Sequence, residues 1–324
     1  MDWTRCLPPR ASYSMTLAVV ASALGGAPHA QDAPAEFTIT QVAPRYYLVS
    51  DASANVLVLT APNGTLLAGV QRPALVKEVR TLLARLHAPA VRFVIPMEDT
   101  LPERYEATLS NGDGGWARDG AITIMHEQYH YRMDHWARLP TNVLNNSLPL
   151  ISFSHVVQAY LQDEEIHAIH DRAGYTDADL LIHFEKEGVL YLGNAFTTDG
   201  YPAIDLAHRG SINGIIATAD YFIKEFGDNL PKVEPIIPAR GRPATMHELV
   251  EYRDMLTTVR DRVKGGLEAR RTIDAVVADH PTREFDEKWG HGPIAPDQFI
   301  QMIYQSLQRA KPSAGTMTRV EVRQ

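Results

Sequence analysis

The chain has 324 residues, a formal net charge of -8, 45% hydrophobic residues and 22% charged residues. This length and this balance are typical of a globular protein that can bury a full core. The negative charge, together with the lack of any basic run interleaved with aromatic residues, argues against nucleic acid and against an anionic membrane surface as partners, because both bind clustered Lys and Arg.

The N-terminal segment has the pattern of a secretory signal peptide. Two arginines precede a short apolar run at 15–24, and small residues lead up to Ala30. This run is too short to span a bilayer comfortably, so we predict cleavage near Ala30, export to the periplasm or beyond, and no membrane span in the mature chain. Residues 1–30 contain Cys6, the sole cysteine, and its removal excludes thiol catalysis and cysteine-ligated zinc.

The first half of the mature chain is rich in short apolar segments bounded by turn residues. These segments predict strands at 37–40, 46–49, 55–60, 65–70, 91–95 and 121–125. Between the fourth and fifth of these strands, Pro73 opens an amphipathic helix that reaches Leu86.

The second half repeats this order of strands followed by helices. Strands are predicted at 165–170, 179–184, 189–192 and 233–237, and helices at 211–226, 246–265, 267–278 and 296–307. Ser211 is a plausible N-cap for the first of these helices. Two successive batches of this kind predict packed sheets with helices outside them.

Several short segments, in their order and spacing, resemble the metallo-β-lactamase fold family, specifically its exported metallo-hydrolase branch with a helical C-terminal extension. They lie at 54–56, 176–179, 189–196, 201–206, 210–211, 252–256 and 289–290, and the resemblance covers 37–307. It implies an α+β fold, a four-layer αββα sandwich over 31–245. A helical extension at 246–310 and a disordered tail at 311–324 would follow.

Enzymes of that family bind one or two zinc ions at the mouth of the sandwich. The ligands are a His-x-His-x-Asp-His loop, a later His, a bridging Asp and a final His. The loop after Ile95 should carry the first motif, yet no histidine occurs between His87 and His126. Asp113, in a turn-rich run, is the candidate remnant of that loop.

The resemblance places Tyr175, Asn194 and Arg240 at the remaining ligand positions. An amide oxygen of Asn194 is a poor substitute for a bridging carboxylate, and Tyr175 would have to ionise far below its usual pKa of about 10. Arg240 would repel a divalent ion about 4 Å away by roughly 8 kcal/mol at an effective dielectric of 20. We therefore predict that the family's zinc is not bound and that no other cofactor replaces it. Asp177 and Asp179 are expected to cap or orient the loop beside Tyr175.

The segment from His126 to His130 matches the HExxH pattern of zinc proteases. Those enzymes carry the pattern within one helix, whereas here the β-branched run at 122–124 leads straight into His126. The resemblance places a strand-to-helix junction at this point, and no third ligand stands out. We do not interpret the motif as a protease site.

The favoured hypothesis is an exported pseudoenzyme whose old metal cleft, lined by Tyr175, Asn194 and Arg240, binds a small anionic ligand through Arg240. In the alternative reading, Arg240 pairs with Asp177 or Asp179 and only fills the vacated space.

Two hypotheses of other classes stay open. One is a hydrolase with a relocated metal site built from His126, His130 and His170. The other is an accessory subunit or assembly factor that uses the C-terminal helices as its interface. Because the family acts on many substrate classes, the fold alone does not choose among these functions or name a ligand.

Overall fold

Two β-sheets form the centre of the molecule in the computed structural model, which describes residues 36–69, 73–96, 115–136, 150–227 and 234–309. The first sheet has its strands in chain order: β1 (Thr38–Ala43), β2 (Tyr46–Asp51), β3 (Ala54–Ala61), β4 (Gly64–Gly69), β5 (Val91–Pro96), β6 (Ile122–His126) and β7 (Ile151–Phe153). Strands β1 to β4 are antiparallel, and β4 to β7 are parallel.

The second sheet has the order β12-β11-β10-β9-β8. Its strands are β8 (Val156–Leu161), β9 (Glu164–Ile169), β10 (Leu181–Phe184), β11 (Val189–Gly193) and β12 (Ile236–Pro238). Neighbours are antiparallel except for β11 and β12, which run parallel.

Seven α-helices lie in the described part of the chain. They are α1 (Pro73–Arg85), α2 (Glu127–Trp136), α3 (Ile212–Phe226), α4 (Met246–Glu268), α5 (Ile273–Val277), α6 (Asp286–Trp289) and α7 (Pro296–Arg309), with a 3-10 turn at Leu206–His208. The predicted cap of α3 is present, because the Ser211 hydroxyl accepts a hydrogen bond from the amide of Gly214. A capping box between Thr245 and Glu248 begins α4.

Three apolar clusters fill the spaces between neighbouring layers. One lies between the two sheets and contains Leu57, Leu66, Ile182 and Tyr191. Another joins the outer face of the first sheet to α1, and the largest joins the outer face of the second sheet to α3, α4 and α7. The layers are therefore helix, sheet, sheet and helices, which confirms the predicted α+β, αββα architecture.

The helix predicted at 267–278 is present only as the shorter segment Ile273–Val277, so its predicted start is wrong. Helix α4 continues to Glu268, and the chain then turns through Arg270, whose φ of 59° lies in the left-handed region. Helix α5 starts only after its N-cap, Thr272. Helix α6 and strands β7 and β8 were not predicted as elements, and α2 was expected only from the strand-to-helix junction that the resemblance places at His126.

The C-terminal helices do not form a core of their own. Leu249 and Leu256 of α4 and Phe299 of α7 share one buried cluster with Leu190 and Leu192 of β11. Residues 1–30, Asp113 and 311–324 lie outside the described residues. Within the described ranges, no helix combines the length and apolarity that crossing a bilayer requires.

A candidate site at the mouth of the sandwich

Strand ends from both sheets meet at one edge of the sandwich, which we call the mouth. Strands β4, β5 and β6 end there together because they are parallel, and β11 and β12 end there for the same reason. The loop from β9 to β10 also lies there, since Leu181 is paired with Ile169. In the described part of the chain the mouth comprises 170–180, 193–205 and 239–245.

A set of hydrogen bonds centred on Asn55, which we call the clasp, joins the two sheets at the mouth. The side chain of Asn55 is fully buried, and its Nδ2 donates to the carbonyls of Pro238 at 2.9 Å and Gly241 at 2.8 Å. Its amide donates to the carbonyl of Ala239 at 2.8 Å, and its carbonyl accepts from Tyr191 Oη at 3.0 Å. The clasp therefore fixes where the chain leaves β12.

Asp179 holds the loop that carries Tyr175. Its carboxylate accepts hydrogen bonds from the amide of Tyr175 at 2.5 Å, and from the amide and hydroxyl of Thr176 at 2.8 and 2.9 Å. Burial nevertheless raises the pKa of Asp179 to about 6, because desolvation outweighs these hydrogen bonds. Its main-chain carbonyl accepts from His170 Nδ1 at 2.8 Å.

A buried ion pair ties α2 to the same loop. The guanidinium of Arg132, a residue that is 8% exposed, contacts a carboxylate oxygen of Asp177, and the other oxygen lies 3.9 Å from Nε of Arg209. Desolvation lowers the pKa of Arg132, which is nevertheless an arginine and stays protonated. The pair brings α2, the helix between β6 and β7 of the first sheet, into contact with a loop of the second sheet.

Arg240 and Asn194 follow neighbouring parallel strands. Gly193 is paired with Pro238, and the Ala239 amide donates to the Gly193 carbonyl at 2.9 Å, so both side chains leave the sheet at the same end. Arg240 donates from Nε to Asp199 at 2.7 Å, and its side chain is 28% exposed. Its carboxylate partner is thus Asp199, and neither Asp177 nor Asp179 as in the alternative reading.

His126 and His170 stack across the two sheets, with ring centroids 3.9 Å apart. Because Nε2 of His126 lies 3.0 Å from the Ser154 carbonyl it must carry the proton, which leaves Nδ1 to accept from the amide of Gln128 at 3.4 Å. Burial and the neighbouring His170 lower the pKa of His126 to about 4. Both ring nitrogens are therefore used within the protein, and His126 has no lone pair left for a metal.

The strand-to-helix junction lies where the resemblance placed it. Strand β6 ends at His126 and helix α2 begins at Glu127, so His126 and His130 do not share a helix. Among the described residues, the side chains close enough to share one metal ion are Glu165, His167 and Glu185, away from the mouth. His126, His130 and His170 are not such a group.

The described residues of the mouth do not fit a zinc ion of the kind the fold family holds. Arg240 has no lone pair to donate and carries a fixed charge that opposes a cation. Asn194 offers a neutral oxygen, and Tyr175 would have to lose a proton to bind well. Zinc sites in proteins use thiolate, imidazole and carboxylate ligands.

Sequence reasoning placed Tyr175, Asn194, Arg240, Asp177 and Asp179 at one edge, and the structure brings all five loop positions there. It missed four residues that hold this edge together: Asn55, Arg132, Tyr191 and Asp199. A signal existed for one of them, because Asn55 is a polar residue inside an apolar strand, and such residues need buried partners.

Comparison with solved structures shows a metallo-β-lactamase fold. A metallo-β-lactamase from Pontibacter korlensis is 11% identical, with a TM-score of 0.52 over 68% of this chain and 99% of its own. The inverting sec-alkylsulfatase Pisa1 from Pseudomonas sp. is 13% identical, with a TM-score of 0.63 over 82% of this chain and 49% of its own. The metallo-β-lactamase DIM-1 is 13% identical, with a TM-score of 0.53 over 70% and 99%.

The chain thus spans about half the length of the alkylsulfatase that it matches. No protein-family model matches the sequence, and a comparison with curated proteins found no match. At these identities the similarity establishes the fold and leaves the chemistry to the residues of this chain.

Proposed function

We propose that this chain is an exported, non-hydrolytic protein of the metallo-β-lactamase fold that binds a small anion at its mouth through Arg240. The observation that carries the proposal is the way this guanidinium is held. Asp199 binds Nε alone, and in the described part of the chain neither terminal nitrogen donates to the protein. A guanidinium presents its donors as a planar fork, so the remaining edge is suited to a carboxylate, sulfate or phosphate group.

The proposal that the chain does not hydrolyse a substrate rests on the residues that stand where the family's metal ligands would be. The family's reaction needs a metal that polarises the scissile group and supplies hydroxide near neutral pH. The mouth offers a cation at the position of the last ligand, and the two stacked histidines are already hydrogen bonded within the protein. Anion binding needs none of the missing groups.

Titration calorimetry with sulfate, inorganic phosphate and acetate tests the proposal. We expect at least one of these anions to bind, and Arg240→Ala to weaken its binding at least tenfold, about 1.4 kcal/mol or more. Arg253→Ala is the matched control, since Arg253 is 25% exposed and also pairs with a carboxylate, that of Asp220, but lies on α4. Equal binding by both variants, or no binding by the parent protein, would refute the proposal.

Turnover assays complete the test. With zinc added, we expect no hydrolysis of a chromogenic β-lactam or of a 4-nitrophenyl sulfate ester. Turnover that requires zinc and survives Arg240→Ala would instead support a metal-dependent hydrolase.

An accessory subunit that used the C-terminal helices would have to bind its partner through their outer faces. Helices α4 and α7 bury their large apolar side chains in the core of the molecule. The exposed large apolar side chains of the described residues lie elsewhere, at Tyr131, Leu150, Ile151, Val156 and Tyr160.

A further inference from the structure

A second polar cluster lies on the outer face of the second sheet. Side chains alternate along β9, and Ile166 and Ala168 point into the apolar layer between the sheets. Glu165 and His167 therefore point outward. The side chains of these two residues are 34% and 24% exposed.

The pairing of β9 with β10 brings a third side chain to this face. His183 lies opposite His167, and the amide of Glu185 donates to the carbonyl of Glu165 at 3.0 Å. Nε2 of His167 is 2.9 Å from Oε1 of Glu165 and 3.6 Å from Oε2 of Glu185. One imidazole nitrogen thus lies between two carboxylates, and one ligand atom from each of the three residues lies within 4.8 Å of the others.

We propose that Glu165, His167 and Glu185 bind a divalent transition metal such as Zn²⁺. Four ligands at about 2.0–2.1 Å around a tetrahedral ion lie about 3.3–3.4 Å from one another. The distances of 2.9 and 3.6 Å from the imidazole nitrogen bracket that spacing. Glu185 is 58% exposed, so an ion reaches the site from solvent and keeps a water as its fourth ligand.

The charge around the cluster favours a cation. Within the described ranges neither Glu165 nor Glu185 forms an ion pair with Lys or Arg, and the ionisable partner that they share is His167. Asp163, in the turn just before β9, contrasts with them, because Arg45 and Lys186 both pair with it. Two carboxylates without a fixed positive partner create a local negative potential that a divalent ion would neutralise.

Strand β8 supplies groups that orient one ligand. Gln158 Nε2 donates to Oε1 of Glu165 at 3.2 Å, and Tyr160 Oη donates to the same oxygen at 3.3 Å. Hydrogen bonds of this kind hold a ligating carboxylate in place, and losing one typically costs a metal site roughly 10–100-fold in affinity.

Equilibrium dialysis of the metal-free protein against ZnCl₂, followed by mass spectrometry of bound metal, tests the site. We expect one Zn²⁺ per chain. His167→Ala and Glu185→Gln each remove a direct ligand, so each should weaken Zn²⁺ binding by at least the roughly 10–100-fold that is typical when a hydrogen-bond partner of a ligand is lost. Glu185→Gln keeps the size of an exposed side chain, so it tests the site even if His167→Ala disturbs the sheet. Loading with Co²⁺ should give visible absorption bands that both variants lose.

His247→Ala is the matched control. His247 is also an exposed imidazole beside one carboxylate, 3.8 Å from Glu251, but it has no third ligand. We expect this variant to bind Zn²⁺ like the parent protein. Absence of stoichiometric Zn²⁺, or equal binding by all the variants, would overturn the proposal.

Discussion

Single polar side chains hold the mouth together, and Asn55 is the clearest case. One buried amide satisfies two main-chain carbonyls that come from a distant part of the sequence. Buried polar groups of this kind contribute modestly when paired but are costly when a partner is removed.

Asn55→Ala should therefore destabilise the protein by roughly 2–4 kcal/mol, because the buried carbonyl of Pro238 and the half-buried carbonyl of Gly241 would both lose their donor. Urea unfolding followed by far-UV circular dichroism measures the change. The control is Asn213→Ala, which removes an exposed amide oxygen bound to Arg260 and should change the free energy of unfolding by less than about 0.5 kcal/mol. Similar losses in the two variants would contradict the role of the clasp.

Asp179 and His126 give the mouth opposite responses to acid. The pKa of Asp179 is raised to about 6, so the cost of burying its carboxylate is present above that pH and disappears towards the ordinary value of 3.8. The pKa of His126 is lowered to about 4, so its contribution to stability is complete above 6.5 and is lost as the pH falls towards 4.

Replacing Asp179 with Asn should expose this difference. As the pH rises from 4 to 6, the carboxyl of Asp179 ionises in the parent protein, and the amide that replaces it in the variant does not. The free energy of unfolding of the parent protein should therefore fall relative to that of Asp179→Asn, by at most about 3 kcal/mol. Denaturant titrations at pH 4, 5 and 6 measure the difference at each pH. A difference that stays constant, or that grows in favour of the parent protein, would mean that Asp179 is ionised throughout this range.

At the scale of the elements, helix α3 depends on a close approach to the loop before β10. A Cβ atom added to Gly214 would lie 1.6 Å from the carbonyl oxygen of Ala173, whereas one added to Gly265 of α4 would meet no atom within 4 Å. Both glycines lie inside helices, where alanine is intrinsically favoured by roughly 1 kcal/mol.

The two substitutions should therefore have opposite signs. Gly214→Ala should lower the melting temperature, because the helix must move away from the loop that carries Tyr175. Gly265→Ala should raise the free energy of unfolding by up to about 1 kcal/mol. Thermal unfolding of both variants checks this pair, and a stabilised Gly214→Ala would show that the helix and the loop can separate at little cost.

The elements that could be predicted from the sequence are those in which apolar residues recur with the period of a helix or of a strand. Helix α1 and strands β2 to β5 follow their apolar patterns closely, as does β9. Strand β8 was missed because Val156 and Tyr160 lie on its exposed face, where the alternation calls for polar residues. The break between α4 and α5 was predicted near residue 266 but lies at 269–272, where Arg270 adopts a left-handed conformation that its residue type does not predict.

At the scale of the whole molecule, the helical layer and the second sheet share one core. Phe299 is fully buried and its ring stacks on that of Tyr201, with centroids 4.6 Å apart. The C-terminal helices should therefore unfold together with the sandwich rather than before it.

Phe299→Ala tests this coupling. Loss of a buried phenylalanine typically costs 3–5 kcal/mol, so we expect roughly that decrease in the free energy of unfolding. The far-UV signal and the fluorescence of the tryptophans should still change in one transition. Two separated transitions would show that the helices form an independent unit.

The layers could be predicted because short segments between 37 and 307 resembled a known scaffold in their order and spacing. The ion pairs of the mouth could not, since Arg132 and Asp177, or Arg240 and Asp199, lie far apart in the sequence and their meeting depends on tertiary structure. The cluster of Glu165, His167 and Glu185 could not be predicted either, because Glu185 reaches the other two residues only through the pairing of β9 with β10.

The clasp has an evolutionary consequence. Asn55 donates its hydrogen bonds to main-chain carbonyls and to no side chain. The position of the main chain at the mouth therefore does not depend on which side chains the neighbouring residues carry. Substitutions at Asn194 or Arg240 can then accumulate under relaxed selection without loosening the two sheets. With its two sheets joined through the main chain, such a scaffold can lose the residues that bind one ligand and gain residues that bind another, and it stays folded after each substitution.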